Sequence, residues 1–272
     1  MRALAKLVKP LVPDGLWQRA RYWDTQRRMR RFAAREVTHD YGGHALRVRI
    51  ADPTAALWYD SDWTDLAELE FLRAHGFPCD GRVFDLGAHQ GVVAMMIARG
   101  LVPDGRVVAV EGIRHNYVTG RHNIAANGVT NVTYEHAMVG EANSVMEITP
   151  ELNARAVMPG ERIYRAEPVA VVTVDAVMHR HGRPDLVFMD IEGYEIRALA
   201  AATETLAARP WWSVEVHGDE MIGVYGGTNR DVARLFLDRG YALHVSRDET
   251  RFEPLGGLAA FPTERCHLIA VP

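Results

Sequence analysis

Cysteine is scarce in this chain. Of 272 residues only Cys79 and Cys266 carry a thiol, with neither the paired spacing of a metal site nor the number of a disulfide framework. A reducing compartment is the expectation that follows. Long apolar runs are missing too. The N-terminus has no stretch suited to a signal peptide, and nothing later reaches about 18 uninterrupted apolar residues. The sequence therefore predicts a cytoplasmic protein with no transmembrane segment. No internal repeat or low-complexity stretch appears, which excludes solenoids and biased tails. A net charge of -4 argues against a general nucleic-acid binder.

What is present is ordinary for a folded domain: 48% apolar residues against 24% charged. The length fits one large α/β domain with an appendage, or two small domains. The charge is unevenly spread. Residues 1–36 carry ten Lys/Arg against three acids, and a helical character is expected there, with Pro10, Pro13 and Gly15 interrupting a first short helix. Leu16, Trp17, Ala20, Trp23, Met29 and Phe32 lie among the arginines. An amphipathic arm on an anionic surface is one reading. The broken apolar face favours packing on the domain or on a second subunit, as in a homodimer. Residues 1–60 are read as this basic helical extension and 61–272 as the main domain, with His44–Ile50 as a strand or hairpin arm outside the main sheet.

From Ser61 a helix is expected, capped by Ser61 or Thr64 and ended by Gly76 and Pro78. Apolar strand-like runs follow at 82–86, 107–111, 132–139, 186–190 and 211–216. Helix-like segments at 91–99, 114–127, 173–181 and 193–208 lie between most of them. Such alternation, with strands apolar on both faces, predicts a doubly wound, mostly parallel sheet. After a helix at 228–240, strands at 241–246 and 265–271 can pair as an antiparallel edge hairpin.

The first run breaks into Asp85-Leu86-Gly87-Ala88-His89-Gln90-Gly91 before an apolar helix. A buried strand, a glycine turn and a helix present backbone N–H groups to a cofactor. The position that a G-x-G-x-x-G dinucleotide fingerprint fills with glycine holds His89. That weakens a nicotinamide oxidoreductase, while Asp-x-Gly-x-x-x-Gly suits S-adenosylmethionine. The second strand ends in Glu111, placed to accept hydrogen bonds from both ribose hydroxyls of an adenosine cofactor. Asn116 opens the next helix, and Ala137 near the end of the third strand is small enough to flank an adenine.

The fourth strand runs into Asp190, Glu192 and Glu195, and buried unpaired carboxylates are costly enough that such a cluster is not plain core. They can orient the cofactor's amino-acid end, bind a divalent cation such as magnesium, or act as a base. The segment lacks the Pro-Pro-aromatic signature of enzymes that methylate nucleic-acid amino groups, so no nucleic-acid partner is expected. On the fifth strand Glu215 and His217 are two apart and share a side. A histidine near its normal pKa suits deprotonation of an alcohol, and a Gly-rich loop, Gly218–Gly227, follows it. Trp211, Trp212 and Tyr225 are candidates for sugar stacking, with core packing the alternative reading for the two tryptophans.

Together, Phe84–Gly91, Val108–Glu111, Asn123–Asn127, Val172–Asp175 and Met189–Glu195 resemble, in order, the motifs of the FkbM family of S-adenosylmethionine-dependent methyltransferases. The resemblance covers about residues 66–220. It implies a Rossmann-like class I methyltransferase fold and methylation of a hydroxyl on a sugar, oligosaccharide or glycosylated metabolite, or on a non-sugar secondary metabolite. It supports Asp85, Gly87 and Glu111 as cofactor residues and Asp190 to Glu195 as the active-site floor. His89 stands where the family commonly has asparagine, Gly112 replaces a proline, and Phe188 replaces a lysine. The expected site therefore comprises Asp85, Gly87, Ala88, His89, Gly91, Glu111, Asn116, Ala137 and Asp190 for S-adenosylmethionine, with His217, Asp190 and Glu192 as catalytic groups for a small hydroxyl acceptor.

Overall fold

The computed structural model describes residues 13–149, 152, 156, 157 and 162–272. The chain enters through α1 (Asp14–Arg31), which runs straight through Gly15. Gly15 is thus not a break, and the segment with Pro10 lies outside the described residues. Three arginines in the last turn of α1 complement its dipole. Tyr164 N donates to Gln18 Oε1 at 2.9 Å, and Tyr22 meets the Tyr164 ring edge-on.

The strands β1 (Arg35–Tyr41) and β2 (His44–Ile50) form the hairpin arm expected outside the main sheet. Its two-residue turn, Gly42-Gly43, has positive φ at both positions, as tight hairpins require. Leu46, Val48 and Ile50 alternate inward and are fully buried. A helix absent from the sequence reading follows: α2 (Pro53–Tyr59), capped by Asp52, which accepts from Thr54 N and Ala55 N. In α3 (Ala67–Ala74) the N-cap position is Leu66, with no side-chain cap. Ser61 and Thr64 therefore do not start it; the Asp65 carboxylate instead accepts from Leu66 N and pairs with Arg73.

The regular alternation then begins with β3 (Arg82–Leu86), α4 (Val92–Met96, continued by a π-helical turn at Ile97–Leu101), β4 (Arg106–Glu111), α5 (Arg114–Ala126) and β5 (Val132–His136). The run at 132–139 is not one strand. After His136 the chain leaves the sheet, and β6 (Met138–Val139) joins β7 (Ser144–Ile148) and β8 (Glu167–Val172) in a separate three-stranded sheet that was not anticipated. Next come α6 (Val174–His181) and β9 (Leu186–Met189). The segment 193–208 yields two helices, α7 (Glu195–Ala201) and α8 (Thr203–Ala207), because Gly193 sits at φ +93° and Ala202 departs from helical geometry. The order closes with β10 (Trp211–Val216), α9 (Asp219–Val224), α10 (Asn229–Leu237), β11 (Ala242–Ser246), β12 (Glu253–Pro254) and β13 (Cys266–Val271).

The main sheet has the order β12-β11-β13-β10-β9-β3-β4-β5. Strands β5, β4, β3, β9 and β10 run parallel, and β13 is antiparallel to both β10 and β11. The edge hairpin is therefore present. Period-two alternation sends Phe84, Leu86, Val187 and Trp212 toward α6, α7, α8 and α10, and Val83, Val107 and Leu186 toward the hairpin, α2, α3 and α4. Each fully buried large side chain contributes about 1.5–3 kcal/mol, so both faces anchor the sheet and hold its carboxyl edge rigid. Among the described residues no helix is long and apolar enough to cross a membrane.

Candidate active site

Strand β3 has β4 on one side and β9 on the other, so the chain reverses direction of winding there and a crevice opens beyond the carboxyl ends. Gly87 lines it at φ +94°, and a Cβ at this position would lie 1.7 Å from the Asp190 carbonyl oxygen. Only glycine permits that crossing of backbones. Gly87 N and Ala88 N donate to Val110 O at 2.9 and 3.1 Å, which ties the turn to the second strand. His89 continues it in the left-handed region, at φ +47°. Gly91, also left-handed, is the N-cap of α4 and faces Gly120 of α5. It serves helix packing and does not line the cavity.

Asp85, Gly87, Ala88, His89, Glu111, Asn116, Ala137, Asp190, Glu192 and His217 all line a single cavity of about 950 Å³. Asp85 is buried, with Oδ2 lacking a partner, and burial pushes its carboxyl up to about 7. Glu111 accepts from Ile113 N at 2.7 Å through Oε1 and from His89 N at 2.9 Å through Oε2. Burial raises it to about 7 against those hydrogen bonds. Asn116 is spent on the protein: it accepts from Gln90 Nε2, donates to Leu152 O, and hydrogen-bonds Glu111. Ala137 closes the third strand, its N donating to Glu111 O at 3.1 Å. At Gly112 a Cβ would fall 1.9 Å from Met138 Sδ, so the methionine side chain lies over the glycine.

The other end of the cavity gathers charge. His217 Nδ1 lies 2.9 Å from Glu195 Oε1. Its Nε2 faces Glu215 Oε1 at 3.3 Å, Asp190 Oδ1 at 3.4 Å and Glu192 Oε2 at 3.7 Å. Burial would lower this histidine, but the hydrogen bond and the charges of Glu195, Asp190 and Glu215 raise it to about 9. The expectation of a histidine near its normal pKa is thus corrected: among these carboxylates His217 is an imidazolium at neutral pH. Burial first, and the Glu215 charge second, hold the Asp190 carboxyl well above the usual range. Asp190, Glu192 and His217 offer ligand atoms within 4.8 Å of one another.

Several groups of this end escaped the sequence reading. Arg265 pairs with Glu215, and His267 Nδ1 lies 2.5 Å from Glu68 Oε1. Glu215 and His267 are direct partners across β10 and β13, so the anticipated edge hairpin carried the signal. The two tryptophans follow the core-packing alternative, and Tyr225 joins them away from the cavity. Trp212 is fully buried against Phe236, Trp211 packs on Phe77, and Tyr225 is buried against Tyr194. The cavity is lined instead by Trp58, Tyr59 and Trp63, which precede the stretch carrying the motifs. The Gly218–Gly227 segment is mostly α9 rather than a loop.

Solved structures similar to this chain include a methyltransferase FkbM from Methylobacillus flagellatus KT, at 16% identity and TM-score 0.43, covering 71% of this chain and 44% of that one. A SAM-dependent methyltransferase from Aquifex aeolicus has 11% identity and TM-score 0.43, covering 80% and 92%. A precorrin-6y C5,15-methyltransferase from Geobacter metallireducens GS-15 has 15% identity and TM-score 0.42, covering 70% and 79%. No curated protein matches the sequence. The methyltransferase FkbM domain matches residues 85–243, from the acid of the glycine turn to the closing strands, and the chain belongs to this family of S-adenosylmethionine-dependent methyltransferases.

Proposed function

We propose that the protein transfers a methyl group from S-adenosylmethionine to a hydroxyl of a sugar, oligosaccharide or glycosylated metabolite. The observation that carries this reading is that the Gly87 turn and the Asp190–His217 cluster open into one cavity. The donor set suits the cofactor: a glycine cradle that a Cβ would fill, an acid at the end of β4, and buried polar atoms awaiting partners. Glu111 would hold the ribose hydroxyls, with the 87–89 turn beside the methionine end and Asp85 near its amine. Bound S-adenosylmethionine supplies an electrophilic methyl group. The chain's share is alignment and removal of the hydroxyl proton.

Glu195 fixes the ring of His217 so that Nε2 faces the cavity, with Asp190 and Glu192 beside it as further proton acceptors. Trp58 and Trp63 offer flat faces for a sugar ring. A divalent cation such as magnesium belongs to the proposal only as an occupant of the Asp190–Glu192–His217 set.

Methyl-labelled S-adenosylmethionine offered with free sugars, glycosides and their aglycones tests this reading. Label on a sugar hydroxyl is the expected result. Label only on aglycones would move the acceptor to a non-sugar metabolite, and loss of transfer in EDTA would establish the cation. S-Adenosylhomocysteine binding should tighten by about tenfold for each of Asp85 and Glu111 that must ionise, both near 7, as pH rises from 6 to 8. Glu111→Ala should weaken it about tenfold or more; unchanged affinity would displace the ribose from Glu111.

A further inference from the structure

His89 is held at four points. Its N donates to Glu111 Oε2 at 2.9 Å, its carbonyl accepts from the Tyr134 hydroxyl, its Nδ1 lies 2.9 Å from the Tyr59 hydroxyl, and the Trp58 ring meets it edge-on with centroids 5.0 Å apart. The other ring nitrogen, Nε2, is buried and meets no hydrogen-bond partner. Tyr59 is buried, and the charges of Asp190, Glu111 and Asp85 add to that burial in keeping its phenol protonated. That phenol has one proton to place, and His89 Nδ1 is the acceptor it reaches. The ring proton then resides on Nε2. Burial also lowers His89 to about 4, so the ring is neutral. A buried N–H donor without an acceptor costs free energy comparable to a lost hydrogen bond, and the residue that carries it lines the cavity at the glycine turn.

We propose that His89 is a cofactor-recognition residue that donates Nε2–H to the α-carboxylate of the methionine end, with Tyr59 as the positioning residue that fixes its tautomer. The inference rests on the methyltransferase reading above and extends it to the chemistry of one atom. The carboxylate is the anionic group of the cofactor, and among the described residues the one arginine lining the cavity, Arg265, is bound to Glu215 at the opposite end. Near the turn the lining charges are the acids Asp85 and Glu111, so an anion there needs a donor that carries no competing acid. Residues from before the main domain complete the arrangement. Tyr59 ends α2, and Asp52, which caps the same helix, accepts from Gln90 Nε2 at 2.7 Å. The hairpin extension thereby braces both residues that stand between Ala88 and Gly91.

The test compares two ligands by calorimetry: S-adenosylhomocysteine, which has the carboxylate, and 5′-methylthioadenosine, which lacks the amino-acid end. His89→Ala should weaken the first about ten- to hundredfold, the range of a hydrogen bond to a charged group, and the second less than twofold. His89→Asn, which restores an N–H donor, should recover most of the loss. Tyr59→Phe should show the same ligand selectivity at smaller amplitude, without removing the histidine. Equal weakening of both ligands, or no weakening of S-adenosylhomocysteine, overturns the proposal while leaving the methyltransferase reading intact. Failure of the unaltered protein to bind either ligand overturns both.

Discussion

At the glycine-turn end of the cavity, Asp85 Oδ2 and His89 Nε2 are buried without partners, and the groups that matter are held by backbone. At the other end, one imidazole faces four carboxylates within 3.7 Å, and Arg265 and His267 add further ion pairs to Glu215, Glu249 and Glu68. Buried atoms without partners occur at both ends, Asp190 Oδ1 and Glu195 Oε2 among them at the second, but the first end is a mould fixed by backbone hydrogen bonds. The second is a charge network whose protons redistribute with pH. Rigidity of shape and adjustability of charge are thus placed at opposite ends of the same crevice; under the proposed function the first aligns the cofactor and the second moves the proton.

The largest effect should follow from breaking the mould. Gly87→Ala puts a methyl group 1.7 Å from the Asp190 carbonyl oxygen at φ +94°, and neither the backbone oxygen nor the dihedral can yield without moving β9. We expect loss of S-adenosylhomocysteine binding and a stability loss of about 2 kcal/mol or more. Thermal melting with and without the ligand reads both. A variant that melts normally and still binds would show that the turn adapts, which erases the contrast with the acid end.

Next in size is the proton network. His217→Gln should lower kcat about 10²- to 10⁴-fold while S-adenosylhomocysteine binds within twofold of normal. For a base with a pKa of about 9, only the neutral ring accepts a proton. The logarithm of kcat/KM should therefore rise with unit slope through pH 7–8 and level off near 9. A flat profile over that range would transfer the role to Asp190 or Glu192. Stability runs in the opposite sense. A folded pKa raised from 6.5 to about 9 favours the folded state by roughly 3 kcal/mol below pH 6.5, and that contribution fades as pH rises through 9. The variant should lose more stability at pH 6 than at pH 10, read by denaturant titration at both.

The two ends were unequally legible in the sequence, for the same physical reason. Asp85, Gly87, Ala88, His89, Glu111 and Ala137 sit in short contiguous stretches where strand, glycine and acid follow one another, so chain order alone brings them together. The doubly wound sheet and its antiparallel edge were readable because two-sided apolar strands allow few alternatives. The acid end is assembled from β9, β10, β13 and α3. Its Glu68–His267 and Glu215–Arg265 pairs depend on lateral register, which no local pattern encodes. Gly91 misled because a left-handed glycine at a helix start serves packing as readily as binding. The break at Ala137 was hidden by an apolar run that continues into a different sheet. Trp58 and Tyr59 belong to α2, whose start is set by Asp52 and Pro53 rather than by a long periodic face.

The smallest expected effect probes how tightly the acid end is coupled. Arg265 is more than half exposed, yet its guanidinium pairs with Glu215, which in turn faces His217 Nε2 at 3.3 Å. In Arg265→Gln the positive charge beside Glu215 is gone, and the carboxylate's field falls more fully on the imidazolium. The histidine pKa then rises further, by less than one pH unit for a solvent-screened charge acting through one intervening group. At pH 7.5 the neutral fraction of His217 shrinks, so kcat/KM should fall a few-fold. Above about pH 10 both proteins hold a neutral ring and the difference should vanish. A deficit constant across pH would mean that Arg265 acts on the acceptor directly, and the network would then divide into independent contacts rather than one shared titration.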